Sequence, residues 1–190
     1  MGHLLRVWAN VRQIAGAESG DLRLLAAATL LHDCVSVPKG APERPQASRL
    51  AAAKARDELA RLGWSKADRH AVAHAIEAHS FSAGIHPETL EARVLQDADR
   101  LDAIGAIGVA RCFLVAGQMG SAICHATDPT GQARPLDDSC YAVDHFRTKL
   151  LGLAAGFTTA TGKAMAQARY ERMQRFLDDL EQEVMPANER

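Results

Sequence analysis

Three short runs of this 190-residue sequence carry side chains suited to holding a divalent cation. They are His3 with Arg6 near the start, His32-Asp33 directly after LLAAATLL, and Asp97, Asp99 and Asp102 within QDADRLDAIG at 96–105. Imidazole nitrogen mixed with carboxylate oxygen suits manganese, iron, zinc or magnesium better than an ion that seeks soft thiolates. Each run alone is weak: a His-Asp dipeptide arises by chance in many chains, and its ordinary reading is a helix-terminal histidine beside a solvated carboxylate. The chemistry therefore depends on whether the fold brings the runs together.

The pattern around them predicts helices. His3, Val7, Asn10 and Ile14 fall at i, i+4, i+7 and i+11, one face of a helix over 3–16 that Gly16 suits as an end, so His3 turns inward. Asp21 caps a second helix over 22–33, whose Leu24, Leu25, Ala28 and Leu31 form a buried stripe that delivers His32-Asp33 at its C-terminus. Pro38, Gly40, Pro42 and Pro45 make 34–47 a loop, and Ser48 caps a helix over 48–62. Ser65 opens another, in which Val72, Ala75, Ile76 and His79 share one row while His74 projects elsewhere. Pro87-Glu88 suits the first turn of a long helix from about 88 to 116 that carries Asp97, Asp99 and Asp102. Within it periodicity offers two rows, Leu95-Asp99-Asp102 and Val94-Asp97-Leu101-Ile104, and does not choose between Asp97 and Asp99. The run ATDPTGQARPLDDSC at 126–140 is a second long loop, followed by helices over about 141–155 and 158–184.

Composition agrees with an all-α chain: alanine is abundant while Tyr and Trp number two each, the reverse of what a sheet requires. The length fits a single domain over 1–190, with a metal-site core over about 1–120 and C-terminal helices over about 141–184. With 22 basic and 23 acidic residues, no single-sign excess drives binding to nucleic acid or membrane. Cys34, Cys112, Cys124 and Cys140 lie far apart without a C-x-x-C pair, the pattern of reduced thiols. No apolar run approaches the ~18 residues of a membrane span and no signal core is present, so a soluble, cytoplasmic protein is expected.

The arrangement H-x-x-R-V, then L-L-H-D, then D-A-D-R-L-D-A-I-G resembles the HD-domain superfamily of metal-dependent phosphohydrolases, named for its His-Asp pair. Within it the likeness is to small stand-alone bacterial hydrolases of the YedJ/YpgQ type. It extends over most of the chain, including HFRTKLLGL at 145–153 and the approach to Arg169. The resemblance implies a single multi-helix bundle in which His3, His32, Asp33 and Asp99 hold one divalent metal, manganese first, with magnesium, iron, nickel or zinc as alternatives. The alignment of A-D-R-L selects Asp99, with Asp97 as the fallback. Two departures stand out. Relatives carry a helical segment before the first His, whereas only Met1 and Gly2 precede His3 here, so this end of the helix is expected to fray and bind metal poorly until an upstream helix completes it. Some HD nucleotidases place an acidic residue three positions after the His-Asp pair, where this chain has Ser36.

The implied substrate is a phosphate ester or anhydride, first of all a nucleotide, with cleavage of a nucleoside triphosphate to its monophosphate as one form. Asp33 is the candidate for orienting or deprotonating the attacking water. Arg6, Lys39, Arg100 and Lys149 are candidate phosphate contacts, with Asp102 added as a substrate-binding candidate. Exposed surface charge is the ordinary alternative for Lys39 and Arg100. His79 is the candidate donor to the phosphoryl group, or else a core histidine satisfied by hydrogen bonds. The chain has no G-x-x-x-x-G-K-[ST] loop, so recognition must rest on metal and basic groups. A homo-oligomer is compatible with this reading. The rival reading is a non-catalytic HD-type nucleotide-binding or regulatory module, and a third is a metal-independent interaction domain.

Overall fold

The computed structural model describes residues 2–37, 43–80 and 83–184. Among these the fold is all-α: helices and short helical turns, no strand, and one isolated bridge between Ala122 and Tyr141. The chain packs as two compact units, Met1–Arg100 with Thr158–Gly162, and Leu101–Phe157 with Lys163–Arg190.

The first unit is built on α1 (Gly2–Glu18), α2 (Leu22–Leu31), α3 (Ala47–Arg61), α4 (Lys66–His79) and α5 (Leu90–Leu101). α4 packs along α3 and α2, and α1 lies against α2. Fully buried Val7, Val11 and Ile14 of α1 join Leu25 and Ala28 of α2, Val72 and Ile76 of α4 and Leu95 of α5 in the core. Ala51, Ala52 and Ala55 present a smooth buried face of α3, the kind of surface that lets a neighbouring helix approach closely.

Local chemistry sets the helix ends. The Asp21 carboxylate accepts from the amides of Arg23 at 2.8 Å and Leu24 at 3.2 Å, and Ser65 Oγ accepts from Asp68 N at 3.1 Å. Both satisfy amides that a first helical turn leaves unpaired. Gly63, at φ +76°, ends α3 with Trp64 N donating to Leu59 O at 3.0 Å. Several termini differ from the sequence reading, α2 among them, which ends at Leu31 rather than at 33. α1 runs through Gly16 and ends at Glu18, where Ser19 takes φ +62° and Gly20 N bonds Ala15 O at 3.0 Å. Ser48 is not a cap but a buried residue inside α3, which follows directly on the 3-10 turn Arg44–Gln46.

The long helix expected over 88–116 is two helices, α5 and α6 (Gly105–Met119). Ile104 is extended (φ −126°, ψ 171°) and Gly105 has φ +73°, so helical geometry cannot pass through them. Gly105 also lies against the Arg169 side chain, where a Cβ would sit 2.9 Å from Cγ. Two glycines in DAIGAIG were the signal, and the apolar periodicity on either side masked it.

In the second unit, Phe113, Phe146 and Phe176 form a ring cluster with centroids 5.7–6.0 Å apart, a spacing at which aromatic edges and faces attract. The stretch expected as one helix over 141–155 is a series of short turns: α7 (Ala142–His145), a π-helical segment Phe146–Leu150, α8 (Leu151–Leu153) and a 3-10 turn Ala154–Gly156. The last helix is α9 (Ala160–Val184). The loop before α7 is held by Asp144, buried, whose carboxylate takes a bidentate pair from Arg134 at 2.6 and 2.8 Å and accepts from Asp137 N at 2.6 Å. All four cysteines are free, and burial pushes the Cys112 thiol up to about 11. No single described helix is long and apolar enough to cross a membrane.

Candidate metal centre

Within the first unit the fold gathers five donors. His3 lies in the first turn of α1, His32 is the residue that ends α2 with Asp33 next to it, His79 is the last residue of α4, and Asp99 occupies the last turn of α5. His3 Nε2 stands 3.3 Å from His32 Nε2, 3.4 Å from Asp99 Oδ1 and 3.7 Å from Asp33 Oδ2. His32 Nε2 is 3.6 Å from Asp33 Oδ2 and 3.8 Å from Asp99 Oδ1, and His79 Nε2 is 4.0 Å from Asp33 Oδ1. Two overlapping triads with donor atoms at ligand spacing result, His3-His32-Asp99 and His32-Asp33-His79.

The backbone orients two of the rings. His32 Nδ1 donates to Thr29 O at 2.8 Å and His79 Nδ1 to Ile76 O at 2.6 Å. A carbonyl only accepts, so each Nδ1 carries its proton, and in the neutral ring Nε2 is left with a lone pair. Those lone pairs and the carboxylate oxygens point toward one another, an arrangement that repels itself unless a cation or proton lies among them. Three helix C-termini, of α2, α4 and α5, contribute donors, and the negative ends of their dipoles add to the pull on a cation. The residues therefore fit a divalent ion with nitrogen and oxygen ligands.

Burial grades the cluster. The His32 side chain is fully buried, that of His79 nearly so and that of Asp99 partly, whereas the Asp33 side chain is 62% exposed. Burial drives the His79 imidazole below its ordinary value, with the charges of Asp99 and Asp33 opposing and that of His32 assisting. For Asp99 burial pushes the carboxyl up, but the hydrogen bond from His3 and the three neighbouring imidazoles outweigh it and leave it below the usual carboxylate range.

Asp97, the alternative ligand, sits elsewhere. Its fully buried carboxylate accepts from Thr158 N at 3.0 and 3.1 Å, Thr158 Oγ1 at 3.2 Å, and both Thr159 N and Thr159 Oγ1 at 2.7 Å. It serves the entry to α9, and a methyl group on Gly162 would overlap it. Nothing in the spacing of the sequence forecast this pairing across sixty residues.

The remaining described site candidates are divided between the two units. Arg6 is half-buried on α1, one turn after His3, and Arg100 is half-buried beside Asp99, its guanidinium lowered by burial against the charges of Asp97 and Asp99. Asp102 is buried in the second unit, where Arg111 Nη1 bonds its carbonyl at 3.0 Å and its carboxylate at 3.3 Å. Lys149 is exposed on the π-helical segment of that unit. Lys39 lies outside the described residues. Ser36 is exposed. His74 does not join the donors; its Nε2 accepts from Glu88 N at 3.0 Å.

The chain is similar to known proteins over most of its length. A family model described as HD domain matches residues 1–104. The uncharacterized protein YpgQ of Bacillus subtilis is 33% identical over 186 residues, 96% of this chain and 82% of its own. The crystal structure of YpgQ in complex with ADP matches with a TM-score of 0.73 at 33% identity, covering 97% of this chain and 86% of that one. An HD-superfamily hydrolase from Bacillus thuringiensis matches with a TM-score of 0.74 at 30% identity, covering 96% and 84%.

Proposed function

The chain belongs to the HD-domain family, and from that premise we propose that it is a cytoplasmic, divalent-metal-dependent phosphohydrolase that acts on a nucleotide. In this reading His3, His32, Asp33 and Asp99 are the ligands, manganese is the preferred ion, and residues 1–190 serve as one functional domain. The observation that carries it is the convergence of five donors from four helices, with two rings held by backbone carbonyls so that Nε2 faces the carboxylates. A bound divalent ion would supply Lewis acidity to a phosphoryl oxygen and lower the pKa of water.

The chain's own residues account for the rest. Asp33, the most exposed carboxylate of the cluster, is the residue proposed to orient an entering water and take its proton. Burial favours the neutral His79 ring, opposed by the charges of Asp99 and Asp33; an anionic substrate would add to their pull toward the protonated ring, the form that donates to a phosphoryl oxygen. Arg6 and Arg100, on the helices that carry His3 and Asp99, are the proposed phosphate contacts, and Lys39 and Lys149 are candidates on the sequence alone. A nucleotide is favoured as substrate because the related YpgQ has been crystallised with ADP. Release of pyrophosphate from a nucleoside triphosphate is the form of the reaction we favour.

The test is a panel of ribo- and deoxyribonucleotides incubated with manganese-loaded protein, with phosphate and pyrophosphate quantified separately. Manganese-dependent release from at least one nucleotide is expected, and its loss in Asp33→Ala. The second reading, a nucleotide-binding module without turnover, draws on Ser36, which is exposed where some HD nucleotidases have an acid. It requires saturable nucleotide binding with no product from any member of the panel.

A further inference from the structure

The helices that carry the metal donors are tied together by two buried amide side chains. Asn10 of α1 donates from Nδ2 to the carbonyl of Ala98 on α5 at 2.9 Å, and Gln96 of α5 donates from Nε2 to the carbonyl of Ala78 on α4 at 2.6 Å. Both side chains are among the few buried polar groups of the first unit. The carbonyls they reach adjoin the donors in sequence: Ala98 immediately precedes Asp99, and Ala78 immediately precedes His79. Asn10 stands on the same face of α1 as His3, two turns further on.

A buried amide costs free energy unless it is paired, and each of these is paired to the last turn of a helix, where carbonyls run out of intrahelical partners. An apolar side chain of similar size would fill the same space. What it would not do is hold one helix against another at a single longitudinal position, because apolar packing is non-directional and a hydrogen bond is not. The five donors come from four helices, and spacings of 3.3–4.0 Å between neighbouring donor atoms leave little room for one helix to slide along another.

We propose that Asn10 and Gln96 are positioning residues that fix α1, α5 and α4 in register and so set the affinity of the donor cluster for its divalent ion. The inference rests on the metal-binding reading of the cluster. Neither residue touches the ion or the substrate; each acts through the backbone beside a ligand.

The experiment is manganese binding to the full chain, read from the spectrum of the free ion by electron paramagnetic resonance, with a thermal melt of each metal-free variant in parallel. Asn10→Leu and Gln96→Met are expected to weaken manganese binding by about 10- to 100-fold, the range seen when groups that orient metal ligands are removed. Leu59→Ala is the control: it opens a cavity in α3, a helix that contributes no donor, and should lower the melting temperature without changing manganese affinity. If Asn10→Leu gives no cooperative melt, Asn10→Ser, too short to reach Ala98, carries the same expectation. Manganese affinity unchanged in both amide variants overturns the proposal, as does an equal loss of affinity in the Leu59→Ala control. Wild-type protein that binds no manganese, magnesium, iron, nickel or zinc overturns the metal reading itself, an outcome distinct from wild-type binding that the variants leave intact.

Discussion

Asp97→Ala separates the two acidic residues of D-A-D. Four donor groups of Thr158 and Thr159 converge on the Asp97 carboxylate, two of them backbone amides. Truncation leaves Thr159 N, in a buried residue, and Thr158 N, in a half-buried one, without an acceptor. The two hydroxyls can rotate toward other partners and cost less. At about 1–3 kcal/mol for each of the two stranded amides, about 2–6 kcal/mol in all, less the relief of no longer burying a carboxylate, the expected loss is about 1–4 kcal/mol. Urea unfolding in the presence of a chelator measures it free of metal linkage. Asp97→Ala should shift the midpoint strongly downward yet still take up manganese at saturating concentration. Asp99→Ala should unfold near the wild-type midpoint in chelator and take up little. If Asp97→Ala is as stable as wild type and loses manganese while Asp99→Ala retains it, the roles assigned to the two carboxylates are reversed.

Gly162→Ala should destabilise by about 1–3 kcal/mol, because its methyl group overlaps the Asp97 carboxylate and the Thr159 hydroxyl; the same urea titration reads it. Gly105→Ala should cost about as much, since Gly105 has φ +73° and no space beside Arg169. The Arg134 pair, opposed by burial, holds Asp144 below its ordinary value of 3.8. A depressed carboxyl adds stability that is present above the unfolded value and lost as pH falls through the folded one. Acid unfolding should therefore steepen below 3.8 in wild type and be shallower there in Asp144→Asn. His79→Ala should lower turnover on a nucleotide while His74→Ala, whose ring only accepts from Glu88 N, should do little; steady-state kinetics with metal analysis on both variants checks this.

Helix positions were largely legible in the sequence, because the first four helices each bury one row and are marked by Asp21, Ser65 and the Gly63 stop. What was not legible depended on partners distant in the chain. Gly105 breaks the expected 88–116 helix because it takes positive φ against Arg169, and Gly108, inside α6, has no room for a Cβ beside the carbonyl of Ala103, contacts no local pattern records. The π-helical Phe146–Leu150 segment, five residues long, is likewise too short to show its i→i+5 repeat in the sequence. At the candidate site, the His79 row and the inward turn of His3 follow from spacing, while the choice between Asp97 and Asp99 did not; the structure puts one beside Thr158 and Thr159 and the other beside His3. Asn10 was visible as a polar residue on an apolar face, but its acceptor lies eighty-eight residues away.

The most direct measurement is nucleotide hydrolysis by chelator-stripped protein as manganese is added back, with bound metal and released phosphate or pyrophosphate determined on the same samples. Product should be absent from the stripped protein, rise in proportion to occupancy, and stay absent in Asp99→Ala across the titration. Undiminished hydrolysis by the stripped protein, or full occupancy with no product from any nucleotide, would contradict a metal-dependent phosphohydrolase.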